Sequence, residues 1–287
     1  MGCFPSDLFH YLWPIYPRRG EMSFIGNDSY HDSRPLSLKL TPKLHHCCYD
    51  NFSFRHSGAP LPCHRKRGVS RMNETAGHTF NIAADNPPVA GCTVSHPVWE
   101  ASGNGLSYFS LGAGTDISAE LYGYHRLELV VAGEAQITGA MPADVAAGQA
   151  VVTPTNVPVG VRAEKDTVYV ELSLEKGTTM NNVIKPGEAF TLKDLIPYQD
   201  GRIVNMDLAH NDSMKFVLMS FDAGTGLSEH AAPGDALVFA LDGEATITYE
   251  GVENLVRAGQ TFKFDAGGRH AVRADKRFKM ALLVTLA

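Results

Sequence analysis

His230 and His270 are the two residues of this chain whose type and position best suit chemistry. A neutral imidazole can bind Zn, Fe, Ni or Cu, and near neutral pH it can also act as an acid, a base or a hydrogen-bond donor to an anion. Asp235 lies between them in the sequence and could supply a carboxylate to the same site. Whether these side chains act together depends on the fold that carries them.

An internal repeat shows which elements position the histidines. Three tripeptides return after 110, 110 and 111 residues: Ala113-Gly114-Thr115 as Ala223-Gly224-Thr225, Gly133-Glu134-Ala135 as Gly243-Glu244-Ala245, and Ala147-Gly148-Gln149 as Ala258-Gly259-Gln260. The change of offset predicts one extra residue in a hairpin of the second copy. The repeat therefore predicts two tandem domains of one fold, at 72–176 and 177–287.

Each copy is patterned as short antiparallel strands. In the second copy, the segments 215–219, 236–241, 245–249 and 278–284 are apolar, aromatic or β-branched, and turns rich in Gly, Asp and Pro separate them. Strands at this spacing predict an all-β sandwich or barrel. The only helical piece predicted is a short turn near 191–196.

Two segments of the second copy resemble the paired motifs of the cupin superfamily. The first, SEHAAPGDALVFALDGEA, runs from Ser228 to Ala245, and the second, AGQTFKFDAGGRHAV, covers 258–272. The resemblance covers the second copy directly and the first copy through the internal repeat. It implies a bicupin, which is two tandem double-stranded β-helix barrels of the jelly-roll type.

The resemblance also implies where a metal would bind. Aligned with the cupin pattern, the four ligand positions hold His230, Ala232, Ala236 and His270, so two of the four ligands remain. A stable first-row metal site generally needs three or more protein ligands, and Asp235 could complete one after a small shift of register. Three interpretations stay open: a polar pair without metal, one divalent transition metal (Zn, Fe, Mn, Ni or Cu) on His230, His270 and Asp235, or histidines that bind or protonate a ligand.

The first copy departs further from the cupin pattern. The positions of His230, Ala232, Ala236 and His270 are taken there by Glu120, Tyr122, Arg126 and Val159. Strand alternation predicts that the first three of these face inward, with Glu120 and Arg126 as an ion pair. This copy is interpreted either as a degenerate barrel kept for packing or as a polar ligand pocket that uses Arg126 and Tyr122.

Two functions remain open. One is small-molecule binding in the C-terminal barrel, because alanines at ligand positions predict an apolar cavity. Its predicted lining is Ala232, Ala236, Val238, Phe262, Phe264 and Met280. The other is a metal-dependent cupin enzyme of the dioxygenase, isomerase or decarboxylase type, with the metal at His230 and His270.

Composition removes several other classes. No apolar run reaches the roughly 18 to 20 residues of a membrane helix, so no membrane partner is expected. The folded part is acidic, which argues against specific nucleic-acid binding. Neither a G-x-x-x-x-G-K-[ST] loop nor a G-x-S-x-G elbow occurs. Because Cys92 is the only cysteine after residue 71, we expect a cytoplasmic protein without structural disulfides; a homodimer stays open.

Residues 1–71 differ from the rest of the chain. They carry 10 Lys+Arg against 5 Asp+Glu and show no sustained period of 2 or 3.6, which predicts disorder. An overextended reading of the start codon, with Met72 as the natural start, is the other interpretation. A zinc site from Cys47, Cys48, Cys63 and His64 is a weaker option, since the C-x₂-C spacing is missing.

Overall fold

The protein was analysed as a computed structural model that describes residues 71–286. The predicted disordered leader and the zinc ligands suggested for it fall outside the described residues, apart from Arg71 at the boundary. All described residues belong to one compact unit. Within them, strands dominate and helical structure is short.

Residues 71–286 contain twenty strands, which make up the two copies. The first eleven are β1 (Thr79–Phe80), β2 (Thr93–Ala101), β3 (Asn104–Leu111), β4 (Thr115–Leu121), β5 (Arg126–Ala132), β6 (Glu134–Gly139), β7 (Ala143–Ala146), β8 (Gln149–Val152), β9 (Pro158–Ala163), β10 (Thr167–Ser173) and β11 (Thr179–Met180). The remaining nine are β12 (Ala189–Thr191), β13 (Ile203–Asn211), β14 (Met214–Phe221), β15 (Thr225–Ala231), β16 (Ala236–Tyr249), β17 (Val252–Arg257), β18 (Thr261–Phe264), β19 (Arg269–Ala274) and β20 (Phe278–Thr285). In this described part of the chain, one helix, α1 (Ile82–Asp85), and one 3₁₀ turn (Leu192–Asp194) complete the set.

Each copy closes two antiparallel sheets into a barrel. In the first copy, the sheet β8-β5-β10-β3-β2 faces the sheet β4-β9-β6-β7. In the second copy, β18-β16-β20-β14-β13 faces a sheet of β15, β19, β17 and the far half of β16. Apolar side chains from both sheets fill each barrel. The predicted all-β class with two tandem jelly-roll barrels is therefore confirmed.

Each barrel receives a strand from the segment that precedes the other barrel. β1 pairs with β18 of the second barrel, and β12 pairs with β8 of the first. Helix α1 follows β1 just as the 3₁₀ turn follows β12, so the exchange obeys the internal repeat. The turn near 191–196 was predicted, whereas α1 was not. The segments 72–176 and 177–287 thus each give one strand to a sheet of the other.

The central strands are buried on both faces, which decides where each side chain points. On β5, Leu127 and Leu129 join an apolar cluster between the two barrels, whereas Val130 joins the interior of the first barrel. On β16, Phe239 lies between the barrels and Val238 lies inside the second. Because strand residues alternate between faces, even-numbered positions near the start of β5 point into the first barrel.

The extra residue of the second copy lies in the hairpin between β16 and β17. In the first copy, Ile137 pairs with Ala143, six positions later. Its equivalent Ile247 pairs with Asn254, seven positions later. The change of offset from 110 to 111 is therefore one added residue at the hairpin, as the sequence predicted.

The repeated Gly-Glu-Ala tripeptide needs its glycine for two physical reasons. Gly133 and Gly243 have φ values of +78° and +70°, in the left-handed region that favours glycine. A Cβ atom on Gly243 would also lie 1.9 Å from the carbonyl oxygen of Arg277, and one on Gly133 would lie 2.3 Å from that of Asp166. At both glycines, a side chain would therefore strain the backbone and collide with a neighbouring carbonyl oxygen.

Substitution of Gly243 tests this close approach. Gly224→Ala is the matched control, because Gly224 has φ +79° but no heavy atom near its would-be Cβ. We expect Gly243→Ala to lower the free energy of unfolding by about 1–3 kcal/mol more than the control, since it adds a collision to the same backbone strain. Urea unfolding of both variants measures the difference. Equal losses would show that backbone strain alone explains the glycine.

Candidate functional site

β15 and β19 place His230 and His270 side by side. The two residues are paired in register, and their ring centroids lie 4.2 Å apart. A bulge between Leu227 and His230 sets this register. The Nδ1 atoms lie 2.8 Å from the carbonyl oxygen of Ser228 and 3.2 Å from that of Gly268, respectively. The structure thus brings the two histidines together, each with one ring nitrogen directed at its own strand.

Asp235 does not join the histidines. Its Oδ2 accepts a hydrogen bond from the backbone N–H of Met72 (2.8 Å), and its Oδ1 accepts one from the N–H of Ala266 (2.9 Å). The Lys263 ammonium lies 3.7 Å from Oδ2, and both side chains of this pair are buried. The carboxylate therefore holds residue 72 and a loop of the C-terminal barrel.

A transition metal does not fit this donor set. Over residues 71–286, no three side chains of His, Cys, Asp or Glu converge in a way that could hold a metal ion. Ala232 and Ala236 offer no donor at the other two positions implied by the cupin pattern. A metal at His230 and His270 would have two protein ligands, fewer than a stable first-row site generally needs.

Aromatic rings pack behind the histidines inside the C-terminal barrel. Phe264 stacks on His270 with centroids 3.9 Å apart, and Phe262 and Tyr249 lie 5.3 and 5.7 Å from Phe264. Ala236 is paired in register with Phe264, so an aromatic ring neighbours the space that the small residue leaves. The residues predicted to line an apolar cavity pack together in one buried cluster: Ala232, Ala236, Val238, Phe262, Phe264 and Met280.

Burial also changes the acidity of the histidine pair. The pKa of His270 is lowered to about 4, chiefly by loss of hydration; the Gly268 carbonyl opposes this shift, and the neighbouring His230 adds to it. His270 is therefore a neutral imidazole at pH 7. It cannot present a positive charge to an anion there.

The polar interior lies in the N-terminal barrel. The Nη1 of Arg126 donates to Oε2 of Glu171 at 3.2 Å, and its Nη2 lies 3.4 Å from Oε1 of Glu128. Arg126 and Glu128 are two apart on β5, and Glu171 stands opposite Glu128 on β10. The three groups therefore share the inward face of one sheet. We refer to Arg126, Glu128 and Glu171 as the acid–arginine cluster.

The ion pair predicted between Glu120 and Arg126 is not formed. Glu120 is exposed and accepts a hydrogen bond from the Tyr122 hydroxyl at 2.6 Å. A bulge between Ile117 and Glu120 interrupts the alternation on which that prediction rested. Glu128 and Glu171 take the place of Glu120 beside the guanidinium.

Several polar atoms of the acid–arginine cluster are buried without a hydrogen-bond partner among the described residues. They are Nε and Nη2 of Arg126 and both carboxyl oxygens of Glu128. Only 2% of the Glu128 side chain is exposed. Buried polar groups in proteins are nearly always hydrogen-bonded, so this set calls for water or a ligand as its partner.

Burial controls the charge of these carboxyls. It raises the pKa of Glu128 to about 8; the Arg126 charge opposes the shift, and Glu171 adds to it. Burial also raises the pKa of Glu171, although the charge of Arg126 and hydrogen bonds from Ser173 and Arg126 counteract it. At pH 7, Glu128 is therefore a neutral acid beside a charged guanidinium.

Tyrosines flank the cluster on its more open side. The Arg126 guanidinium lies 4.3 Å over the ring centroid of the half-buried Tyr122, a cation–π contact, and Tyr124 lies 5.3 Å from Tyr122. On the inner side, Phe109 and Tyr169 stack with centroids 4.9 Å apart. Of the two ligand-binding residues predicted here, the structure puts Arg126 within the cluster and Tyr122 against it.

Glu128 and Glu171 were missed by sequence reasoning. The search followed the ligand positions of the cupin pattern, and neither glutamate occupies one. A signal was present, because Glu128 interrupts the apolar run from Leu127 to Ala132 and its counterpart 110 residues later is Val238. A difference between the two copies at an inward position marks a residue that packing alone does not require.

A separate cavity of about 380 Å³ lies between the barrels. Equivalent turns of the two copies line it, at Gly148-Gln149 and Gly259-Gln260, together with the start of α1 and Lys193. None of the predicted site residues borders it. It belongs to the inter-barrel interface and not to either barrel interior.

Comparison with known proteins identifies the fold family. Residues 217–286 match the family model described as Cupin domain. The resemblance of the second copy to the cupin superfamily is therefore confirmed. A cupin 2 conserved barrel domain protein from Leptotrichia buccalis is similar to it, with 25% identity over 75% of this chain and 99% of that one and a TM-score of 0.67.

A second solved structure shares only the fold. It is a variant of salicylate 1,2-dioxygenase from Pseudoaminobacter salicylatoxidans in complex with gentisate. It is 12% identical over 78% of this chain and 84% of the other, with a TM-score of 0.52. No curated protein matches the sequence. Among residues 71–286, no helix has the length and apolar character required to cross a membrane.

Glu128 in the first barrel and His270 in the second should change the unfolding free energy with pH in opposite directions. Glu128 has a raised pKa in the fold, so its contribution is complete below about 4.5 and is lost as pH rises to about 8. His270 has a lowered pKa, so its contribution is complete above about 6.5 and is lost as pH falls toward about 4. Between pH 6.5 and 8 the His270 contribution is constant, and Glu128→Gln should flatten the decline of the unfolding free energy there. An unchanged slope in that variant would contradict a neutral Glu128.

The donor set makes a prediction about metal content. We expect elemental analysis of the purified untagged protein to find well under one equivalent of Zn, Fe, Mn, Ni or Cu, because only two imidazoles converge. The His230→Ala, His270→Ala double variant should give the same result. One equivalent in the natural protein that disappears in the double variant would contradict this interpretation.

Proposed function

We propose that the protein is a bicupin that binds a small molecule in its N-terminal barrel. The observation that carries the proposal is the acid–arginine cluster, whose Arg126 and Glu128 present buried polar atoms without partners. A ligand site is usually a mostly apolar interior with a few convergent polar groups. This barrel has that composition, with apolar residues of both sheets around three ionisable side chains.

The second copy supports the proposal by contrast. At the positions of Arg126, Glu128 and Glu171 it carries Ala236, Val238 and Leu282. Ala236 and Val238 are buried members of its apolar core, and Leu282 packs against that core. At these three positions the same fold thus closes its interior with apolar side chains, so the barrel does not need the acid–arginine cluster to fold.

Energetics point the same way. A buried polar group that lacks a partner costs about 1–3 kcal/mol, and replacing a buried ionic group by apolar residues is often neutral or stabilising. Groups kept at such a cost are typical of functional sites. Binding is therefore a better account of the cluster than packing.

The C-terminal barrel is a second candidate for ligand binding. The specific observation is the His230–His270 pair, whose rings lie 4.2 Å apart with Phe264 stacked against His270. A planar ligand could stack beside these rings and accept a hydrogen bond from an imidazole N–H. A metal-dependent reaction at this pair has less support, since its donor set lacks a third ligand.

One variant tests the proposal by giving the first barrel the residues of the second. We expect Arg126→Ala/Glu128→Val/Glu171→Leu to fold and to gain about 1–4 kcal/mol in unfolding free energy without ligand, because a buried ionic group becomes an apolar one. Small molecules that raise the melting temperature of the natural protein should not stabilise this variant. Differential scanning fluorimetry with one compound collection measures both effects.

The His230→Ala, His270→Ala double variant is the matched control. If the N-terminal barrel binds, compounds that stabilise the natural protein should stabilise the double variant equally. Compounds that still stabilise the triple variant but fail on the double variant would move the site to the C-terminal barrel and overturn the proposal.

A further inference from the structure

Resting on the proposed function, we infer that the ligand of the N-terminal barrel is a small carboxylate. The carboxylate is held by the Nε–Nη2 edge of Arg126 and by the acid proton of Glu128. This assigns a chemical class to the site and a separate role to each side chain.

One edge of the Arg126 guanidinium makes no hydrogen bond within the described residues. Arg126 uses Nη1 for Glu171, whereas Nε and Nη2 are buried without hydrogen-bond partners among the described residues. The N–H bonds of Nε and Nη2 lie in the guanidinium plane and point nearly parallel from the same edge. That geometry matches the two oxygens of a carboxylate and gives the bidentate contact for which arginine is suited.

Glu128 supplies a donor instead of a competing charge. Its Oε1 lies 3.4 Å from Nη2 of Arg126 but makes no hydrogen bond with it, and both of its oxygens lack a partner. A neutral carboxyl carries one O–H, which can donate to an acceptor oxygen beside the guanidinium. An ionised Glu128 would instead repel a carboxylate and fill the arginine edge itself.

The groups around Glu128 favour its neutral, protonated form. The charged groups that face it are Arg126 from β5 and Glu171 from β10, and Tyr169 and Tyr122 are the nearby phenols. β8 contributes the buried Val151 directly opposite Glu128, and the facing sheet contributes apolar side chains such as Val159 and Ile137. Glu171 is the most open member, with 13% of its side chain exposed, so water screens its charge better than that of Glu128.

The test is isothermal titration calorimetry of the full chain in an amine buffer with benzoate, benzamide and benzylamine. These probes share one ring and differ in charge. We expect benzoate to bind at pH 6.5 and the other two to bind at least tenfold more weakly. Above pH 8 the affinity for benzoate should fall by about tenfold per pH unit, because binding favours protonated Glu128.

Three variants separate the roles of the side chains. Arg126→Lys keeps the charge but removes the parallel donors, and should weaken benzoate binding at least tenfold. Glu128→Gln keeps a neutral donor without an ionisable proton, so it should retain binding and lose the fall above pH 8. Arg162→Lys is the surface control in the same barrel, since Arg162 is an exposed partner of Glu164, and it should change nothing.

The outcomes distinguish this inference from the proposed function. Benzamide or benzylamine binding that Arg126→Lys abolishes would overturn the carboxylate assignment and leave the N-terminal site standing. Absence of benzoate binding at millimolar concentration would also overturn the assignment. The proposed function itself fails if every compound that raises the melting temperature of the natural protein raises that of the Arg126→Ala/Glu128→Val/Glu171→Leu variant by the same amount.

Discussion

The structure depends on sheets that are buried on both faces. β5 and β10 of the first copy and β14, β16 and β20 of the second direct one set of side chains into a barrel and the other into the cluster between the barrels. The central parts of these strands are largely buried on both faces. A polar side chain on such a strand must therefore find its partner inside the protein.

That constraint gives the acid–arginine cluster its chemistry. Two carboxyls and one guanidinium share the inward face of the first barrel, so a single positive charge faces two acids. Burial raises the pKa of the more enclosed acid, Glu128, so that it keeps its proton and the cluster holds one negative charge against the one positive charge. The arginine then directs one edge to Glu171 and leaves the other edge free. Because one guanidinium faces two buried acids, Glu128 stays neutral and can donate a hydrogen bond beside the Nε–Nη2 edge of Arg126, which has no hydrogen-bond partner among the described residues.

The two barrels share one fold but fill their interiors with different side chains. The second packs aromatic rings in its interior, behind the His230–His270 pair. Asp235, the carboxylate expected beside them, instead binds the N–H of Met72 and faces Lys263. The short exchanged strands β1 and β12 join the barrels, so each copy is completed by a segment that precedes the other. Packing dominates the second interior, and polar chemistry is concentrated in the first.

Much of this fold could be predicted from the sequence, because the repeat and the turn residues are local signals. The Gly-Glu-Ala repeat marks a backbone conformation that both copies need, and the pairing of His230 with His270 follows from the cupin pattern. Side-chain partners were harder to predict, because they depend on bulges and on packing across the barrel. The bulge before Glu120 interrupts the alternation that would have placed it beside Arg126. Ala236 and Phe264, both predicted to line a cavity, are paired in register within one buried apolar cluster.

Glu128 could have been found by comparing the two copies position by position, since its counterpart is Val238. Its neutral state could not, because that depends on burial and on the distances to Arg126 and Glu171. The measurement that tests the account most directly is a pH titration of the Glu128 side-chain carboxyl by ¹³C NMR, with Glu128→Gln to assign the resonance. The account predicts a titration midpoint near pH 8. A midpoint near the ordinary glutamate value of about 4.3 would mean an ionised Glu128 and would contradict it.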